Sequence, residues 1–262
     1  GAWQLLHQAG MLDRSARAVA MFNPRPTIQS IAFTPGTRVF VIDDALSDPE
    51  RWVALAIEHR AAFESAPFNA YPGLELRMPD ALSARLDAYF AEHIRNRLGA
   101  RRTVRMYSRL AMATRAVDQL EPRQWICHRD RLEVDPDRVI AASVAYLFKD
   151  NALGGTAFFA PRRGEKETAV LIHESGQLAP ADFTRKYGIA PAYPVTSNAW
   201  FEKVGVVEPK WNRLVFYDGG ELFHSSDIEA PERLSADPAS GRLTWNGFFI
   251  CRRAAASERA KD

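Results

Sequence analysis

Apolar positions in the first hundred residues recur at helical spacing, and beyond residue 100 they fall into short strand-like runs. Arg38-Val39-Phe40-Val41-Ile42-Asp43 is apolar enough for a short strand. A helix is expected over about 49 to 61: Asp48 or Ser47 can cap it, Pro49 suits its first turn, and Ser47 with Glu50 resembles a capping box. A second helix is expected over about 80 to 98, where Leu82, Leu86, Phe90, Ile94 and Leu98 recur every four residues, Tyr89 widens the stripe and Gly99 ends it. Residues 1 to 38, broken by Pro24, Pro26 and Pro35, read as an arm or outer strands.

Strands are expected over 103 to 113, 123 to 130, 139 to 148, 155 to 160, 213 to 218 and 242 to 251, separated by Asp150-Asn151, Gly154-Gly155 and Asp218-Gly219-Gly220. Residues 163 to 210 interrupt the rhythm and read as an insertion over the barrel mouth, with a short helix near 180 to 187 and the segment Ser197-Asn198-Ala199-Trp200-Phe201. The order predicts an α+β chain, mainly β: one domain over 1 to 262, in which an N-terminal part (1 to 100) buttresses a β-sandwich or jelly-roll core (101 to 253). The tail from Ala254 to Arg259 is expected to fray.

Composition narrows the function only a little. The chain has 262 residues, 47% hydrophobic and 25% charged, enough for one sizeable core. Its 34 basic and 32 acidic residues leave a net charge of +2, which argues neither for nucleic acid nor for a membrane surface. No apolar run approaches the ~20 residues of a membrane span. Gly1-Ala2-Trp3-Gln4 lacks the pattern of a secretory leader, and Cys127 and Cys251 are too few for a disulfide framework, so a reducing cytoplasm is the expected setting.

The candidate chemistry lies in four residues. In Trp125-Ile126-Cys127-His128-Arg129-Asp130, strand alternation would turn His128 and Asp130 to one face and Cys127 and Arg129 to the other. His224 follows the apolar run Leu214-Val215-Phe216-Tyr217 and can add a third ligand. Two histidines and one carboxylate can hold one face of a ferrous ion and leave the other open. Arg242, at the head of another apolar run, can grip a carboxylate through two parallel hydrogen bonds. His7, His59 and His93 read as structural; His173, in the insertion, reads as a surface residue.

With these motifs in order (His128-x-Asp130, Tyr146-Leu147 before Gly154-Gly155-Thr156, Asn212 to Phe216 before His224, then Arg242) the chain resembles the iron(II)- and 2-oxoglutarate-dependent oxygenases, in their prolyl 4-hydroxylase-like branch and an uncharacterised bacterial subfamily of it. The resemblance covers residues 103 to 251. It implies a double-stranded β-helix fold, His128, Asp130 and His224 as iron ligands, and Arg242 as the partner of the distal carboxylate of 2-oxoglutarate. Iron(II), 2-oxoglutarate and O2 would be the cofactors, and a C–H bond of an amino acid, a peptidyl residue or a small natural product would be hydroxylated. Halogenases of the superfamily lack the carboxylate ligand, so Asp130 favours hydroxylation. Arg242 follows His224 by 18 residues, longer than is usual there, whereas Arg233, nine residues on, falls at the usual interval. Arg242 is preferred because it opens the last core strand. A tyrosine often shares the 2-oxoglutarate carboxylate, and Tyr146 and Tyr107 are both open for that role. Alternation along the final strand would aim Arg242, Thr244, Asn246 and Phe248 inward, Thr244 beside the co-substrate and Asn246 and Phe248 toward substrate; Trp200 of the insertion is the further candidate for substrate contact.

Two readings from other classes stand beside this one. One is a cupin-like metal enzyme that does without 2-oxoglutarate, and the other a non-catalytic jelly-roll binding module. The expected partner is a small-molecule or peptide substrate, with neither nucleic acid nor membrane; a homodimer is left open.

Overall fold

A computed structural model describes residues 20–66, 70–130 and 135–255. The expectations for His7, for the first residues and for most of the C-terminal tail lie outside these. Among the described residues the chain is mainly β, with eleven strands and four α-helices.

Two antiparallel sheets carry the fold. The larger has eight strands in the order β1 (Ile28–Thr34), β2 (Thr37–Ile42), β9 (Arg213–Asp218), β6 (Arg138–Tyr146), β11 (Arg242–Arg253), β5 (Ala100–Ala113), β4 (Gly73–Arg77) and β3 (Glu64–Ser65). The smaller has β10 (Phe223–Ser226), β7 (Thr156–Pro161) and β8 (Phe201–Val207). The sheets meet through Phe158 of β7, which stands edge-on to Tyr217 of β9 at 5.1 Å and stacks on Phe33 of β1 at 5.2 Å. Tyr146, Val215 and Val207 fill the same layer.

Helices cover the other face of the large sheet. α1 (Pro49–Glu58) starts where the Asp48 carboxylate accepts the Arg51 N–H, with Pro49 at its first position. Its Trp52 stacks on Trp245 of β11 at 4.0 Å. α2 (Asp80–His93) buries Leu82, Leu86, Tyr89 and Phe90 against the sheet, and Phe90 lies 4.2 Å from Phe249. The expected single helix to residue 98 instead breaks at Ile94 into a short 3-10 turn, and Gly99 closes it at φ 65°.

Three features differ from the pattern in the sequence. β3, β4, β8 and β10 are strands that short or charge-interrupted runs did not announce, whereas β1 is an outer strand in the stretch read as an arm or outer strands. Residues 123 to 130 do not form a strand: a 3-10 turn at Pro122–Gln124 precedes them, and only His128 makes a bridge, to His224. The segment 163 to 210 holds α4 (Pro180–Tyr187), the short helix expected there, but also α3 (Glu165–Ser175) and β8, which were not expected. Its aromatics pack inward: Tyr193 and Phe201 are buried with Leu171 and Phe183, and Tyr187 and Trp200 are half-buried on that cluster.

Candidate metal centre

Backbone pairing brings two of the candidate ligands face to face. The His128 N–H donates to the His224 carbonyl at 3.1 Å, and the His224 N–H donates to the His128 carbonyl at 2.9 Å. His224 sits on β10, itself paired to β7, so its position is fixed from two sides. The Asp130 N–H donates to the Gly219 carbonyl at 2.7 Å, which ties the third residue to the turn after β9. Asp130 Oδ1 then lies 3.6 Å from His128 Nε2, and Oδ2 lies 3.5 Å from His224 Nε2. One ligand atom from each residue falls within 4.8 Å of the others.

The donor atoms suit a divalent metal. His224 Nδ1 is 2.9 Å from the Leu222 carbonyl, which can only accept, so Nδ1 carries the proton and Nε2 presents its lone pair toward Asp130. The His128 side chain is half exposed, yet desolvation of its ring by the surrounding protein, then the neighbouring His224, lowers its pKa against an opposing pull from Asp130, which favours the neutral ring that a metal requires. Gly219 leaves room for the carboxylate: a Cβ there would lie 2.3 Å from Asp130 Oδ2.

Two cavities open on this cluster. The smaller, about 110 Å³, holds all three ligands together with Arg242, Thr244, Asn246, Phe248 and Tyr107. Arg242 is buried at the head of β11; its Nε and one terminal nitrogen donate to the carbonyls of Gly154 and Gly155 at 3.0 and 2.7 Å. Gly154 permits this approach, since it adopts φ 85° and a Cβ would lie 1.9 Å from the Asp227 carbonyl oxygen. Arg233 lies elsewhere, on the surface, paired with Asp150 at 2.9 Å. Tyr146 shares the parity of Ala142 and Val144, whose side lines the cavity, but its hydroxyl is bound to Thr156 Oγ1 at 2.7 Å and its ring is sealed in the layer between the sheets. Tyr107 stacks on Phe248 at 5.2 Å in the cavity wall.

Three placements extend or change the picture. Tyr71, just before β4, lines both cavities; burial raises its pKa while Arg242 and Thr244 pull it down, so it stands at the same end of the cavity as they do. Arg109 of β5 also lines both cavities and is paired with Glu75 at 2.8 Å. Neither was singled out by the sequence, because Tyr71 lies in a loop and Arg109 reads as one charge in a strand. Trp200 lines neither cavity: its indole N–H donates to the Tyr187 carbonyl at 3.3 Å and its ring meets Tyr187 edge-on. The insertion reaches the larger cavity through Ile172, Ser175, Gly176, Tyr193 and Pro194 instead.

Comparison with known proteins adds a family and two partial likenesses. The model of a family of unknown function, DUF6445, matches residues 24–249. No curated protein matches the chain. A crystal structure of a Pseudomonas putida prolyl-4-hydroxylase is similar at 17% identity and a TM-score of 0.37, with 94% of this chain and 99% of that chain covered. HygX from Streptomyces hygroscopicus, with nickel, 2-oxoglutarate and hygromycin B bound, is similar at 11% identity and a TM-score of 0.44, with 82% of each chain covered.

Proposed function

Since the chain belongs to DUF6445, a family whose description assigns no function, we propose its activity from the site itself: an iron(II)- and 2-oxoglutarate-dependent oxygenase that hydroxylates a C–H bond. The observation that carries this reading is the convergence of His128, Asp130 and His224 on one point, at a cavity that also contains a buried arginine. Two neutral imidazoles and one carboxylate are the donor set of the facial-triad iron enzymes, and the cavity side of the cluster supplies the open positions. Iron(II) bound there, with 2-oxoglutarate and O2, would supply the oxidising power. We read the two facing sheets accordingly as a double-stranded β-helix, and a cytoplasmic setting suits the chemistry.

The protein's own residues divide the work. The Leu222 carbonyl holds the His224 tautomer, and the Gly219 carbonyl holds Asp130. Arg242 keeps a fixed guanidinium for the distal carboxylate of 2-oxoglutarate, because the Gly154 and Gly155 carbonyls lock its orientation while other N–H donors remain. Thr244 flanks it. Tyr71 is better placed than Tyr146 to share that carboxylate, since it lies near Arg242 and Thr244 while the Tyr146 hydroxyl is bound to Thr156. Tyr107 pairs opposite Phe248, six residues along the strand from Arg242, and is too far along it for that role. Asn246 and Phe248 face the substrate, a small molecule or a peptidyl side chain.

The test separates Arg242 from Arg233. Anaerobic calorimetry of 2-oxoglutarate binding to the iron-loaded protein should show a loss of about 30-fold or more for Arg242→Ala, in keeping with ~2 to 5 kcal/mol for an unpaired buried charge. Iron content should stay unchanged, and Arg233→Ala should bind as wild type. Equal binding by wild type and Arg242→Ala would remove the assignment.

A further inference from the structure

The larger cavity carries charges that a metal and 2-oxoglutarate do not use. Its volume is about 540 Å³, within the ~300–1,000 Å³ of small-molecule sites. Arg109, Arg123 and Arg129 line it, and among the described residues that line it the only carboxylate is Asp130, the proposed metal ligand. Arg109 is shared with the smaller cavity, whereas Arg123 and Arg129 line the larger one alone. Tyr107 and Phe248, stacked on each other, supply a flat apolar wall.

The two unshared guanidiniums are held in place, each by one carboxylate. Arg129 lies over the Phe223 ring at 4.4 Å, and its side chain is 12% exposed. Its partner Glu165, at 2.6 Å, is 62% exposed. Arg123 pairs with Glu121 at 2.8 Å, with the side chains 39% and 52% exposed. The Arg123 pair is exposed on both sides and holds by only ~0–1 kcal/mol, so a ligand acid in the cavity can displace Glu121. Arg129 has N–H donors beyond the one that Glu165 accepts, so it can take a ligand acid beside it. A guanidinium binds a carboxylate through paired N–H donors, and aromatic walls favour a planar partner.

We propose, resting on the oxygenase reading, that the substrate is a small organic acid with an aromatic or other planar apolar part. Arg123 and Arg129 hold its acid group, while Tyr107 and Phe248 hold the flat part near the metal cluster.

The experiment uses the full chain, iron-loaded and saturated with 2-oxoglutarate, without oxygen. Iron and 2-oxoglutarate binding are measured first on that sample. Then 3-phenylpropionate, indole-3-acetate and N-benzoylglycine are titrated, each against its primary amide, with 2-phenylethylamine as the cationic probe. At least one acid should bind about tenfold or more tightly than its amide, the gain of one charge-assisted pair. The amine should not bind. Arg129→Gln and Arg123→Gln should each weaken the acid about fivefold or more and leave the amide unchanged; the Arg123 side chain is the more exposed of the two, so its variant tests the point if Arg129→Gln fails to fold. Binding by no acid, or amide or amine binding as tight as acid, overturns the substrate class while the oxygenase reading stands. Failure of iron or 2-oxoglutarate to bind overturns the oxygenase reading and this inference with it.

Discussion

Gly219 shows how closely single atoms set this centre. It donates no ligand, yet its carbonyl anchors Asp130 and its missing side chain leaves space for the ligand oxygen. Gly219→Ala puts a methyl 2.3 Å from Asp130 Oδ2, so the carboxylate must turn away. Iron affinity should fall by about 10- to 100-fold, the scale of supporting-residue changes around metals, with the melting temperature near wild type. Calorimetric iron titration checks this; unchanged affinity would mean that Asp130 is not a ligand. At this scale the sequence was informative where chemistry is concentrated: His128, Asp130 and His224 do come together, and Arg242 does enter their cavity. It was mute on Tyr71 and Arg109, whose positions depend on long-range pairing of β4 and β5.

At the level of elements, the turn after β9 links stability to the site. Asp218 accepts the Gly220 and Glu221 N–H groups at 3.0 and 3.1 Å, and burial raises its pKa from the ordinary carboxylate value of 3.8 to about 6. The folded form therefore binds the proton more tightly than the unfolded chain, and stability falls as pH rises from about 4 to about 6. The loss is about 3 kcal/mol, because each tenfold difference in proton affinity between the two states is worth ~1.4 kcal/mol. Asp218→Asn keeps the acceptor oxygen and removes the charge. Urea unfolding should show the variant more stable than wild type at pH 7 and lacking the wild-type decline between pH 4 and 6; parallel pH profiles would contradict this. Elements with one clear period were legible: the α2 stripe is buried as its four-residue spacing requires, and β9 spans 213 to 218 as expected. The strand expected at 123 to 130 failed because alternation of side chains does not require ladder partners. Pro122 starts a turn, and a single bridge to His224 is enough to aim His128. α3 buries only Thr168, Leu171 and Ser175, so its apolar stripe was too thin to announce a helix. In β8, Glu202, Lys203 and Gly205 interrupt the apolar alternation.

For the molecule as a whole, the site exists only while the two sheets stay closed on each other. Phe158 lies between them, fully buried, against Tyr217, which itself stands edge-on to His224 at 4.8 Å. Phe158→Ala should cost about 3 to 5 kcal/mol in urea unfolding and weaken iron binding through the displaced Tyr217 and His224; a loss below 1 kcal/mol would show that the layer does not hold the sheets together. Packing of 163 to 210 on Trp125 and Phe223 makes that segment a wall of the larger cavity, a role invisible in its irregular sequence rhythm. No helix among the described residues is long and apolar enough to cross a membrane.

His128, Asp130 and His224 are proposed to hold iron for 2-oxoglutarate-driven oxidation. The most direct measurement is succinate formed from 2-oxoglutarate in air by metal-free protein, with and without added iron(II). Iron held there beside bound 2-oxoglutarate should activate O2 slowly even without substrate, so succinate should form only with added iron and O2 and should disappear in His224→Ala. Succinate formed without iron, formed equally by His224→Ala, or not formed at all by iron-loaded wild type would contradict it.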